Sequence, residues 1–172
     1  MLARSWRKLC AAEASCFVVM QWNVLSDELC TTSSFPYTNP ASLEWENRQK
    51  TLLDEIRRVS PSVLALEEVD RYEDYYLPFL KEEYDSVFFQ KAGGKDGTVL
   101  AWKKDEFSRS ADSYCLRYSQ TGSQGAIIQS LTHMATEKKI LVAGTHLVSL
   151  FHCKCLANTL HRKPRKVLKT FD

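Results

Sequence analysis

Two adjacent carboxylates at the end of an apolar run are the first residues of this 172-residue chain whose types point to chemistry. Val63-Leu64-Ala65-Leu66 leads directly into Glu67-Glu68-Val69-Asp70. So short and apolar a run reads as a strand buried on both faces. A carboxylate at the end of such a strand is costly unless a cation meets it. An oxygen donor on a rigid element at the mouth of a sheet suits a hard metal ion, which makes Glu68 a candidate ligand. The plainer reading is a strand ending in solvated acids. Asn23 closes the run Phe17–Asn23, and its amide has the donors and the acceptor to orient a phosphate oxygen or a metal-bound water. His146 follows Ile140–Thr145 and reads either as a phosphate contact or as a satisfied edge histidine. Asp96 lies in Gly93-Gly94-Lys95-Asp96-Gly97, where an Asp-Gly pair most often makes only a hairpin turn. Arg48 lies one helical turn from Trp45 and Leu52, aimed either back at the carboxylates or into solvent. Chemistry gathers at strand ends, and that rule groups Asn23, Glu68 and His146.

The elements that must position these side chains follow from periodicity. Phe17–Asn23 is rich in β-branched and aromatic residues and reads as the first strand. Residues 26–41 are polar and hold Pro36 and Pro40, the pattern of a loop. A helix follows, capped by Asn39 or Ser42, with Pro40 in its first turn and Glu44 and Glu46 near its positive end. Its apolar face is Trp45, Leu52, Leu53, Ile56 and Val59. Ser60-Pro61 stops it and the Val63 strand begins, so the first two strands form a parallel pair with a right-handed crossover. Tyr72–Tyr84 reads as a second helix with Pro78 as its kink or start. Five extended runs follow with no helix between them: Ser86–Gln90, Thr98–Trp102, Ser113–Tyr118, Ala126–Met134 and Lys139–Leu147. Such spacing implies antiparallel pairing. The class is α/β leaning to α+β, a mixed sheet with helices on its outer face.

Composition sets outer limits. The length fits one domain, and a chain of this size buries roughly two thirds of its unfolded surface. Hydrophobic residues at 44% and charged residues at 26% are ordinary for a globular protein. The net charge of +2 hides an asymmetry, since residues 151–172 are net +5 and residues 1–150 net −3. No apolar run approaches the ~20 residues that span a bilayer, so no membrane partner is expected. The six cysteines show no paired framework, which favours a reduced, cytoplasmic protein. A basic stretch over residues 1–12 offers a mitochondrial presequence as the weaker alternative. His152-Cys153-x-Cys155 with His161 matches no common zinc spacing. The organisation is a basic extension over 1–15, a domain over 16–150 and a basic, disordered tail over 151–172.

Taken together in order, Gln21-Trp22-Asn23-Val24-Leu25, Trp45-x-x-Arg48, Pro61-x-Val63 through Asp70, Asp96-Gly97-Thr98 and Thr145-His146-Leu147 resemble the endonuclease/exonuclease/phosphatase superfamily. The resemblance covers about residues 17–148 and is strongest to the deadenylase-like branch of nocturnin, Ccr4-type and angel proteins. It implies half of a four-layer α/β sandwich with a Mg²⁺ site. Glu68 would ligate the metal, Asn23 would hold the scissile phosphate and His146 would stabilise charge in the transition state. Asp96 and Arg48 would lie on the substrate side. The substrates implied are the poly(A) tail of mRNA, cut 3′ to 5′, or the 2′-phosphate of NADP(H). Complete members carry further Gly-Asp-Phe-Asn and Ser-Asp-His motifs that this sequence does not contain. A second class therefore stays open: a truncated, catalytically incompetent fragment whose first sheet lacks its cover and self-associates through the uncovered face.

Overall fold

Leu64 and Leu66 face one way from the strand Val63–Val69 and Val63 faces the other, and both faces are closed by packing. This computed structural model describes residues 16–118 and 123–147. In chain order the described elements are β1 (Val19–Asn23), α1 (Trp45–Val59), β2 (Val63–Val69), α2 (Leu77–Glu83), β3 (Tyr84–Gln90), β4 (Gly97–Lys103), β5 (Phe107–Arg109), β6 (Tyr114–Arg117), β7 (Gly125–His133) and β8 (Lys138–Thr145).

Two sheets are formed. The first has the order β1-β2-β4-β3, with β1 parallel to β2 and the other pairs antiparallel. Val19 lies opposite Val63 and Asn23 opposite Glu67, so the ends of β1 and β2 are level. In the second sheet β7 is central: β5 and β6 share one of its edges and β8 takes the other, all antiparallel. On the helix side of the first sheet, Met20, Leu64 and Leu66 pack with Leu52, Leu53 and Ile56 of α1 and Leu80 of α2. On its other side Val63, Leu100 and Trp102 meet Phe107, Ile127 and Leu131 of the second sheet. Burial of β2 and β4 from both sides is why they read as unbroken apolar runs.

This architecture corrects one expectation. The truncated-fragment alternative left the first sheet without its cover, whereas the described chain supplies a covering sheet itself. The layers run helices, sheet, sheet, which are three of the four layers in the sandwich that the resemblance implies. The apolar surface lies elsewhere, on the outer face of the second sheet, where Tyr114, Leu116 and Leu141 are exposed. Strand order along the chain does not reveal which strands share a sheet, and β5, at three residues, is too short to show periodicity.

The local signals act as expected in most places. Asn39 Oδ1 accepts from the Ala41 N–H at 3.1 Å, but it caps a 3₁₀ turn over Pro40–Ser42 rather than α1 itself. Helix α1 ends on Ser60 in the left-handed region at φ 46°, just before Pro61. The single helix expected over Tyr72–Tyr84 is a π-helical turn, Tyr72–Tyr76, followed by α2 with Pro78 in its first turn, and Tyr84 already belongs to β3. Cys30 and Cys115 are free, whereas Cys16 is disulfide-bonded, against the expectation of unpaired cysteines. Among the described residues no helix is long and apolar enough to cross a membrane. The 1–15 extension, the cysteine–histidine cluster and the basic tail over 151–172 lie outside the described residues.

The β3–β4 hairpin leaves no room at its inner end. A Cβ on Gly97 would fall 2.5 Å from both the Phe88 ring and the Phe89 carbonyl oxygen. Gly97→Ala is expected to destabilise the chain by about 1–3 kcal/mol, because the backbone oxygen cannot give way as a side chain would. Urea unfolding followed by tryptophan fluorescence measures this, and an unchanged midpoint contradicts the packing described.

Candidate functional site

The site is built at the level ends of β1 and β2, where the backbone of β2 departs from a regular strand. Leu66 pairs with Val99 and Val69 with Gly97, so β2 has one residue more than β4 across this interval. That bulge is taken up by Glu68, whose φ of 58° is left-handed, a costly conformation for a residue with a Cβ. In a regular strand Glu67 and Glu68 would point to opposite faces. Here both reach side chains of the same face of β1. Gln21 Nε2 donates to Glu67 Oε1 at 3.0 Å, and two residues on, Asn23 Nδ2 donates to Glu68 Oε1 at 2.6 Å. The Ser26 N–H donates to the other Glu68 oxygen at 3.4 Å. Both carboxylates are buried.

His146, directly after β8, brings the second sheet to the same point. Its Nε2 lies 3.8 Å from Glu68 Oε1, with 30% of its side chain exposed. Asn23, Glu68 and His146 are thus brought together from three strands. Asp96 is adjacent rather than part of that contact: it shares a small cleft with His146, Lys91 and Thr98, and Lys91 Nζ is 3.8 Å from its carboxylate. Arg48 is placed differently from the substrate-side position expected of it. Its side chain is 12% exposed, and its guanidinium donates to Asp27 Oδ1 at 3.0 Å and to the Val24 carbonyl at 2.8 Å, and also reaches the Leu25 carbonyl. It points back toward the strand ends, as one of its two sequence readings has it, but its donors are already engaged there.

Ser26 contributes to this geometry and was not singled out from the sequence, and Glu67 was noted there only as one of the carboxylate pair, not as a site residue. A backbone N–H leaves no trace in residue type, and the alternation rule turns Glu67 away from Glu68. Asn23 also does more than expected: its Oδ1 accepts from the Leu25 N–H at 2.9 Å, which fixes the amide so that one N–H meets Glu68. Among the described residues no group of three or more His, Cys, Asp or Glu side chains converges as a metal cage. Glu68 is instead a single hard-oxygen donor with hydrogen-bonded support. This set fits a cation that keeps water and substrate phosphate as most of its ligands, as Mg²⁺ does.

Burial raises the Glu67 carboxyl above its ordinary value of 4.5, and the Gln21 hydrogen bond and the nearby His146 only partly oppose that rise. A raised folded value means that the folded chain binds the proton more tightly than the unfolded chain does. Stability is therefore lost as pH rises from about the ordinary carboxylate range toward the folded value. Glu67→Gln removes this loss, so in chelator its stability gain over the parent chain is expected to grow from pH 4 to pH 7. Denaturant midpoints across that range measure it, and a gain that shrinks with pH contradicts the assignment.

With this geometry in hand, the relationships of the chain are informative. Residues 20–125 match the Endonuclease/Exonuclease/phosphatase family. Nocturnin of Mus musculus is 30% identical over 152 residues, covering 80% of this chain and 35% of that protein. The human Nocturnin catalytic domain, solved with a bound sulfate anion, superposes with a TM-score of 0.65 at 29% identity, covering 77% of this chain and 50% of that one. ANGEL2, a 2′,3′-cyclic phosphatase solved with adenosine-2′,3′-vanadate, superposes with a TM-score of 0.71 at 26% identity, over 77% of this chain and 41% of that one. The chain spans about a third of the length of its curated relatives and half or less of these solved chains. Its sheets, its order of motifs and the matched span place it in one family: the chain belongs to the Endonuclease/Exonuclease/phosphatase family.

Proposed function

We propose that these residues form the first half of a Mg²⁺-dependent phosphoesterase site. The reaction would be that of a 3′–5′ exoribonuclease of the nocturnin type, acting on the poly(A) tail of mRNA, or release of the 2′-phosphate of NADP(H). The observation that carries the reading is the convergence of Asn23, Glu68 and His146 at one strand-end opening. Relatives named as nocturnin and as a 2′,3′-cyclic phosphatase support a nuclease or phosphatase chemistry.

In this reading Glu68 supplies the protein's carboxylate to the cation, held in register by Asn23 and the Ser26 N–H. A Mg²⁺ ion held there would supply Lewis-acid chemistry, drawing charge from a phosphoryl oxygen and from the leaving oxygen. The second N–H of Asn23 would donate to a non-bridging phosphate oxygen, with the amide held by Glu68 and the Leu25 N–H. His146 Nε2 faces that position from the other sheet and donates where charge builds up during in-line attack by water. Asp96 lines the adjoining cleft and orients the substrate beyond the phosphate. Arg48 contributes by holding the turn after Asn23 rather than by touching substrate.

A second reading follows from the donor count. One carboxylate and one amide hold Mg²⁺ weakly without further ligands. On that reading the chain binds metal, RNA or a partner and does not turn over by itself.

The experiment that separates them supplies oligo(A) RNA and NADP⁺ with Mg²⁺ to the purified, monodisperse chain. Phosphate and nucleotide release are measured for the parent chain, Glu68→Ala and His146→Ala. The phosphoesterase reading expects release that Glu68→Ala eliminates and that His146→Ala lowers by about 10²–10³-fold. The released product names the branch. A folded sample with no release above the chelator blank removes that reading in favour of the second.

A further inference from the structure

The turn between β1 and the loop that follows is held by one carboxylate that neither the sequence reading nor the mechanism above uses. Asp27 Oδ1 accepts from Arg48 Nη1 at 3.0 Å, and Oδ2 accepts from Arg71 Nη2 at 2.6 Å and Nε at 3.2 Å. Its own N–H donates to Asp70 Oδ2 at 2.6 Å. Two consecutive backbone N–H groups, Ser26 and Asp27, are thus directed at two acids two residues apart, Glu68 and Asp70. The turn is bound to the end of β2 along its length, since the Val24 N–H also donates to the Glu67 carbonyl at 3.0 Å.

Leu25, inside this turn, is left-handed at φ 61°. A Cβ-bearing residue persists there only where its surroundings over-determine it. The two arginines do that from outside. Arg48 reaches the Val24 and Leu25 carbonyls as well as Asp27, and Arg71 is stacked over the Trp45 ring at 4.7 Å. From the inner side of the same turn come the two groups that touch Glu68, the Asn23 amide and the Ser26 N–H. A partly buried carboxylate with two guanidinium partners is a rigid junction. It is placed so that any loosening shifts both of those donors at once.

We infer that Asp27 is the positioning residue of the site, clamping the Val24–Asp27 turn through Arg48, Arg71 and Asp70 so that Asn23 and Ser26 meet Glu68 in one fixed geometry. The inference rests on the reading of Glu68 as the ligand-holding carboxylate. Groups that orient a metal ligand from behind typically change affinity by about 10–100-fold when removed.

The test uses the ¹⁵N-labelled chain, its Asp27→Asn variant and the milder Arg71→Ala variant, whose side chain is 43% exposed. Three quantities are read: Ser26 amide exchange relative to the core amides of Met20 and Leu64, the side-chain NH₂ signals of Asn23, and Mn²⁺ affinity from paramagnetic broadening. Positioning expects Ser26 exchange to rise by about tenfold or more while the core amides hold. It also expects the Asn23 signals to shift and Mn²⁺ to bind about tenfold or more weakly. A merely structural ion network would lower the melting point and raise exchange evenly, leaving Asn23 and Mn²⁺ affinity unchanged, and that result overturns the inference. If Asp27→Asn does not fold, Arg71→Ala decides by the same readings. If the parent chain binds no Mn²⁺, the metal reading fails, and the Ser26 and Asn23 signals still decide whether Asp27 positions them.

Discussion

A left-handed residue, the second of two adjacent carboxylates, governs the geometry of this protein's site. Glu68 occupies the bulge of β2 at a φ that costs about 1–2 kcal/mol for a residue with a Cβ. The distortion turns the second of two adjacent carboxylates onto the face already occupied by the first. Two buried acids then share one face, met by Gln21, Asn23 and the Ser26 N–H. Hydrogen bonds to ionised groups are worth more than neutral ones, and these offset both the strain and part of the burial.

The frame around the bulge is stiff because β2 and β4 are closed on both sides, by the helices and by the second sheet. Close-packed interiors transmit strain rather than absorb it. A distortion at Glu68 therefore stays where the register puts it. β1 is different: Met20 is buried against the helices, whereas Val19, Gln21 and Asn23 on its other face are exposed. The site lies along this open flank, with His146 arriving from the end of the second sheet. Rigidity behind and access in front are the two things a phosphate site needs.

The family relationship and the local physics meet at different levels. The family follows from the matched span and from the relatives. In the proposed reading, turnover depends instead on how many ligands a cation finds, and Glu68 is one carboxylate among neutral donors. Fold likeness fixes the scaffold, while chemistry belongs to the side chains that converge on it. Nothing in the scaffold prevents the second reading, in which the same geometry binds without turnover.

Much of this was available in the residues themselves. The Val63–Leu66 run announced a strand buried on both faces, the 45–59 periodicity announced α1, and Ser60-Pro61 marked its end, because each rests on local sterics and side-chain period. The strand periods also placed Asn23, Glu68 and His146 at strand ends. Tertiary structure decided the rest. It divided the strands between two sheets, so that β5 to β8 cover the face that the fragment alternative left bare. It turned Glu68 beside Glu67, which depends on a register against β4 that no local rule contains. It also drew Arg48 to the turn carbonyls and made Asp27 a junction, since a partner 21 residues away is chosen by packing rather than by spacing. Local preference sets which elements form, and only the long-range register decides which side chains meet.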